Sequence, residues 1–208
     1  MVNTMTSSPK AWQSIRGYTP CPNTTTLLDS SLNFKDSYDE IVANKKMFGN
    51  HANNAAYLEV GPLRECKTAH LYKDSSLKKW AHIFKDGPDS KFPKTHLLLQ
   101  ALIASLNSNR DRALFRAYVT IVEPGQQIYA HCDTDGPVWN TLDRYQFYFT
   151  GDSDMIQIIN GTLFPIGPGY LYYFDHRQIH EYHNHSKQDL ILMVFDLQRN
   201  ISENHYGT

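Results

Sequence analysis

Between Leu114 and Leu197 the chain is a series of short runs in which aromatic and β-branched residues alternate with polar ones, each run ended by turn-forming residues. The runs are LFRAYVTIV (114–122), QIYAHCD (127–133), RYQFYFT (144–150), MIQIING (155–161), TLFPI (162–166), YLYYFD (170–175), EYHNH (181–185) and DLILMVFDL (189–197). Between them stand Pro124-Gly125, Gly136-Pro137, Gly151, Asn160-Gly161 and Gly167-Pro168-Gly169, residues that supply the backbone angles of tight turns. About eight strands at this spacing predict one closed or sandwiched β-structure, most simply a jelly roll. Upstream the period lengthens to that of a helix. Tyr38, Ile41 and Val42 recur at helical spacing within 37–47, and Leu77, Trp80 and Phe84 do so within SSLKKWAHIF (75–84). In FPKTHLLLQALIASLNS (92–108), Leu98, Leu99, Leu102, Ile103 and Leu106 form one apolar stripe, with Thr95 the expected N-cap and Asn107 and Asn109 the expected stop. The pattern therefore predicts a mainly β fold with N-terminal helices packed outside it. Residues 1–35, rich in Ser, Thr, Pro and Asn, read as an N-terminal arm, and 36–208 as a single domain.

Composition narrows the choice of partners. A chain of 208 residues with 41% hydrophobic and 20% charged residues has enough apolar material for one core, and a net charge of −1 gives no electrostatic reason to expect nucleic acid or membrane. Three cysteines, Cys21, Cys66 and Cys132, are odd in number and widely spaced, which fits neither a disulfide framework nor a CxxC site. With no apolar leader and no apolar run long enough to span a bilayer, the expected location is the cytoplasm.

Histidine and carboxylate placement raises the question of a metal. In a strand, His131 and Asp133 project to one face and Cys132 to the other. The tripeptide alone is weak evidence in a chain with 10 histidines. The segment GYLYYFDHRQIHEYHNHS (169–186), one hairpin later, carries His176, His180, His183 and His185, any of which could add a third ligand. Two imidazoles and a carboxylate on one face of an ion leave positions open, the arrangement of non-haem Fe(II) oxygenases. In RYQFYFT, Arg144, Gln146, Tyr148 and Thr150 alternate with Tyr145, Phe147 and Phe149, which fits a barrel wall whose polar side meets an anionic, hydrogen-bonding ligand or, equally, solvent.

The order of these segments resembles the aspartyl/asparaginyl β-hydroxylase-like family of Fe(II)/2-oxoglutarate-dependent dioxygenases. KFPKTHLLLQAL (91–102) is similar to the family's Phe-Pro-x-Thr helix entry, VEPGQQIYAHCD (122–133) to its Pro-Gly-x-x-I-x-x-His strand, and 168–186 to its Phe-Asp segment followed by His and Asn, here Phe174, Asp175, His180 and Asn184. The resemblance implies a double-stranded β-helix (jelly roll, cupin-like) that binds Fe(II) through His131, Asp133 and His180. It leaves His183 and His185 as surface or supporting groups. Some members lack the carboxylate ligand, so Asp133 implies a complete triad here. The resemblance further implies 2-oxoglutarate as cosubstrate, dioxygen as oxidant, and hydroxylation of an aliphatic C–H bond in a small-molecule or peptidyl amino acid. Arg144 falls on the family's basic residue, and Gln146 replaces a His that often contacts 2-oxoglutarate. Asn184 and the aromatic group Tyr170, Tyr172, Tyr173 and Phe174 become candidate supports for the site. One departure is plain: Leu190 stands where the family carries the Arg that pairs with the remote carboxylate of 2-oxoglutarate. Arg144 is the first candidate to replace it, ahead of Lys187 and Arg177. Two other readings stay open, a catalytically silent metal-binding β-barrel and a metal enzyme of the same fold that uses no 2-oxoglutarate.

Overall fold

The computed structural model describes residues 18–20, 34–50, 61–73, 92–106, 112–134 and 137–198. Each of the eight runs forms a strand: β4 (Leu114–Val122), β5 (Gln127–His131), β6 (Leu142–Tyr148), β7 (Met155–Ile159), β8 (Thr162–Pro165), β9 (Leu171–Phe174), β10 (His180–Asn184) and β11 (Leu190–Gln198). Three further strands precede them, β1 (Tyr18–Pro20), β2 (Gly49–Asn50) and β3 (Lys67–Lys73), together with helices α1 (Phe34–Ala43) and α2 (Pro93–Leu106). The chain thus places three residues of the expected arm, Tyr18–Pro20, as an edge strand on β9. A bulge between His70 and Tyr72 breaks the period of two in β3, which hides that strand from a search for alternation. SSLKKWAHIF lies outside the described residues.

The strands form a seven-stranded sheet in the order β1-β9-β6-β11-β4-β3-β2 and a four-stranded sheet in the order β5-β10-β7-β8, with every pairing antiparallel. From β4 onward the chain changes sheet at every connection except the β7–β8 hairpin. That is the winding of a double-stranded β-helix, with β4, β11, β6 and β9 facing β5, β10, β7 and β8. The exception is a two-residue turn, Asn160-Gly161, whose φ values of 48° and 75° are ones that Asn-Gly, like Asp-Gly and Gly-Gly, adopts cheaply.

Both faces of the larger sheet are covered, so its central strand β11 is apolar on both sides. Ile191, Met193, Phe195 and Leu197 face outward and pack with Tyr145, Phe147 and Phe149 under Ile41 of α1 and Leu98, Leu99 and Leu102 of α2. Leu190, Leu192 and Val194 face inward and join Tyr118, Val122, Ile128, Tyr148, Met155 and Tyr182. One residue in that inward phase is charged, Asp196, with no exposed surface. The expected N-cap at Thr95 is displaced. Pro93 takes the first helical position, suited to a residue without an N–H. The carboxylate of Glu40, from α1, accepts the Lys94 and Thr95 amides at 3.0 and 2.8 Å and the Thr95 hydroxyl at 2.7 Å. Among the described residues no helix is long and apolar enough to cross a membrane.

Asn184 closes the barrel end away from the start of β10. Its amide donates to the carbonyls of Val122 and Gln188 at 2.7 and 2.8 Å, and its Oδ1 accepts from the amide and hydroxyl of Ser186 at 3.1 and 2.8 Å. With all four capacities used inside the protein, Asn184→Ala is expected to cost about 2–4 kcal/mol in a denaturant titration, since buried carbonyls and a hydroxyl lose their partner. Metal binding should be unchanged.

Candidate metal centre and the pocket beneath it

The pairing of β5 with β10 sets His131 opposite His180, with ring centroids 4.1 Å apart. Each ring is fixed through Nδ1, which contacts a main-chain carbonyl two residues earlier: Tyr129 O at 2.7 Å for His131 and Gln178 O at 2.8 Å for His180. A carbonyl only accepts, so Nδ1 carries the proton and, in the neutral ring, Nε2 is left as the electron-pair donor. Burial, reinforced by His131 alongside, pushes the His180 pKa down to about 3, so this ring is neutral across the physiological range.

Asp133 lies two residues beyond the end of β5 and is placed by its neighbours rather than by strand alternation. Its amide donates to His176 O at 2.9 Å, and its Oδ1 lies 3.9 Å from His131 Nε2. Burial would raise its pKa, but Arg144, then Arg116 and the two imidazoles, outweigh that and hold the carboxyl well below its usual range. The ligand atoms of His131, Asp133 and His180 all lie within 4.8 Å of one another. Two imidazoles and an ionised carboxylate are the donor set that suits a ferrous ion and leaves coordination positions open.

Behind the ligands lies an ion network across three neighbouring strands. Arg144 on β6 donates from Nε to Asp196 Oδ1 at 2.8 Å and from Nη2 to Asp196 Oδ2 at 3.2 Å, while its Nη1 donates to Asp133 Oδ2. Arg116 on β4 donates from Nε to Asp196 Oδ2 at 2.5 Å, and its guanidinium lies over the Trp139 ring at 4.5 Å. Trp139 sits in the short 3-10 turn Pro137–Thr141, whose carbonyl at Trp139 contacts His176 Nε2 at 3.0 Å. The same His176 thus steadies the turn through its ring and Asp133 through its carbonyl.

Below the ligands a pocket runs into the barrel, lined by Leu63, Tyr118, Thr120, Ile128, Gln146, Tyr182, Leu192 and Val194, with His131, His180 and Arg144 at its upper end. Gln146 donates to the Tyr182 hydroxyl and accepts from Tyr148 at 3.0 Å, in a cluster completed by Gln157. Several expectations change here. Arg144 points inward as the pattern predicts, but its fork grips Asp196 and Asp133 instead of standing ready for a cosubstrate carboxylate. Asn184 fastens the β10–β11 connection, about 13 Å along β10 from His180 at strand spacing, and Lys187 is exposed in that connection. Neither lines the pocket. Arg177 is taken up by Asp175 at 2.7 Å. Tyr170 is exposed, Tyr172 packs edge-on to Tyr148, and Tyr173 packs against Tyr145 on the outer side. His183 pairs with Glu181 at 3.1 Å and stacks on an exposed His185. The residues that pattern reading passes over are Arg116, Trp139 and Asp196. Asp196 was detectable, being a carboxylate in phase with Leu190, Leu192 and Val194 on a strand apolar on both faces.

The family model described as aspartyl/asparaginyl beta-hydroxylase matches residues 35–200. No curated protein matches the chain. Among solved structures the chain is similar to the viral collagen prolyl hydroxylase of Paramecium bursaria Chlorella virus-1, in its 2OG complex, with 12% identity, 91% of this chain and 98% of that one covered, and a TM-score of 0.48. It is also similar to the cupin domain of Schizosaccharomyces pombe Cnp3, with 12% identity, coverage of 66% and 68%, and a TM-score of 0.40.

Proposed function

Since the chain belongs to the aspartyl/asparaginyl beta-hydroxylase family, we propose that it is a ferrous dioxygenase that hydroxylates an aliphatic C–H bond of an amino acid, free or within a peptide. It does so at the expense of a 2-oxo acid, 2-oxoglutarate being the one that membership implies. The observation that carries this reading is the convergence of His131 Nε2, His180 Nε2 and the Asp133 carboxylate at the head of an inward pocket. In the overall reaction dioxygen supplies one atom to the new hydroxyl and one to the acid left when the 2-oxo acid loses carbon dioxide. Bound iron would supply the redox chemistry. The chain's own part is preparation. His131 and His180 present unprotonated nitrogens, and Arg144 occupies one oxygen of Asp133, leaving Oδ1 on the side of His131. The aliphatic and aromatic walls of the pocket limit water.

The test is anaerobic Fe(II) titration followed by a 2-oxo acid. One equivalent of iron should bind, and a visible charge-transfer band should develop on addition of the acid. Exposure to air with a panel of amino acids and peptides should then release carbon dioxide in proportion to hydroxylated product. Iron binding without any band or turnover would leave a silent metal-binding barrel and overturn the proposal.

A further inference from the structure

The inward residues of the larger sheet are stacked in layers set by the strand register. Arg116, Asp196 and Arg144 pair across β4, β11 and β6 in the layer beside the metal ligands; Tyr118, Val194 and Gln146 pair in the next, and Thr120, Leu192 and Tyr148 in the one below. Successive layers are two strand residues, about 7 Å, apart. Charge is confined to the first layer. There Arg116 and Arg144 are matched one for one by Asp196 and Asp133, with Arg144 bonded to both carboxylates. Among the described residues that line the pocket, every one below that layer is uncharged.

For a 2-oxo acid held by its head at the candidate metal ligands, this lower part, lined by Ile128, Leu192, Val194, Gln146, Tyr182 and Thr120, would be the space open to its tail. A tail carboxylate would be stripped of water with no cation beside it, a costly arrangement for a charge and a cheap one for a neutral group. One polar group is waiting there. Thr120 is 1% exposed, and its Oγ1 is the buried side-chain oxygen that finds no hydrogen-bond partner among the described residues. A buried hydroxyl left unpaired costs stability unless a ligand satisfies it.

We infer that the cosubstrate subsite is built for a 2-oxo acid with an uncharged tail, whose hydrogen-bonding atom, where it has one, is taken by the Thr120 hydroxyl. The inference rests on the 2-oxo-acid reading above and corrects the identity of the acid. Holding a tail by neutral groups alone, the site selects against 2-oxoglutarate rather than for it.

The experiment compares 2-oxoglutarate, its 5-methyl ester, 2-oxopentanoate and pyruvate in anaerobic titrations of the Fe(II)-loaded protein, read by the charge-transfer band and by calorimetry. The ester and 2-oxopentanoate are expected to bind at least about tenfold more tightly than 2-oxoglutarate, the scale of one uncompensated buried group. Tighter binding of 2-oxoglutarate overturns the inference and leaves the oxygenase reading standing, whereas failure of all four acids on an iron-loaded protein removes both. Thr120→Val, which keeps the shape and deletes the hydroxyl, separates a ligand role from a structural one. It should leave the melting temperature of the metal-free protein unchanged or higher, weaken the ester about fivefold or more, and leave 2-oxopentanoate unaffected. Equal effects on the two acids would overturn the assignment of Thr120.

Discussion

Replacement of His180 by alanine is expected to abolish stoichiometric iron binding while the barrel stays folded. In the proposed centre the ring is one of three donors, and losing a direct ligand should exceed the roughly 10–100-fold that loss of a mere ligand-supporting contact costs. The fold depends on it much less. The ring's Nδ1 contacts the carbonyl of Gln178, in the turn before β10, while the β5–β10 and β10–β7 pairings are main-chain ladders. A cost of about 1–3 kcal/mol is expected, as for other truncations at a buried site. The same variant has a second signature in the pH dependence of the metal-free protein. The unfolded chain takes up a proton on this histidine near its ordinary pKa of 6.5, whereas burial delays protonation in the fold to about 3. Stability therefore falls as pH falls across that window, because the unfolded state binds the extra proton. His176, buried against Trp139 with its pKa lowered to about 4, adds a similar slope from 6.5 downward. In His180→Ala the decline below pH 6.5 should be shallower, with the His176 part remaining. Equilibrium unfolding at several pH values, with iron content measured on the same samples, reads both effects. Full iron occupancy in the variant would remove His180 from the site.

The double-stranded β-helix could be read from the sequence because its strands obey one rule: each run from 114 to 197 alternates faces and ends in residues with turn chemistry. Even the two-sided burial of β11 shows in the unbroken run LILMVF. The parts that escaped are those held by distant partners. The start of α2 takes its cap from Glu40, more than 50 residues away in sequence, so the local candidate Thr95 looks sufficient when it is not. β3 owes its place to pairing with β4 in spite of its own bulged pattern. At the site, His131, Asp133 and His180 were legible as residue types, but strand alternation was the wrong reason for Asp133, which the carbonyl of His176 and the fork of Arg144 set in place. The allotment of Arg144 could not be seen without register. Its identity and inward face suit a ligand carboxylate equally well, and only the pairing of Arg144 with Asp196 across β6 and β11 shows that the protein supplies that carboxylate itself.

That allotment makes Arg144→Ala a stronger test of the fold and the metal than of the cosubstrate. Arg144 is 2% exposed and Asp196 has no exposed surface, so removing the guanidinium leaves a buried carboxylate with Arg116 as its remaining ion-pair partner. Breaking a buried ion pair from one side costs about 3–5 kcal/mol, and a loss of that size is expected in chemical denaturation. In the intact protein Asp196 stays ionised to unusually low pH: burial would raise its pKa, but Arg144 and Arg116 overcome that and lower it. Its contribution to stability is accordingly present above the ordinary carboxylate range and lost as pH falls below it, and Arg144→Ala should move that acid loss to higher pH. Arg144→Lys keeps a positive charge without the planar fork, and so cannot hold Asp196 and Asp133 together. It should recover part of the stability while iron affinity stays about 10–100-fold below that of the unaltered protein, because the second oxygen of Asp133 is no longer held. If Arg144 instead served the cosubstrate, both variants would bind iron normally and lose only the charge-transfer response to the 2-oxo acid. The two accounts therefore separate on iron affinity measured before any acid is added.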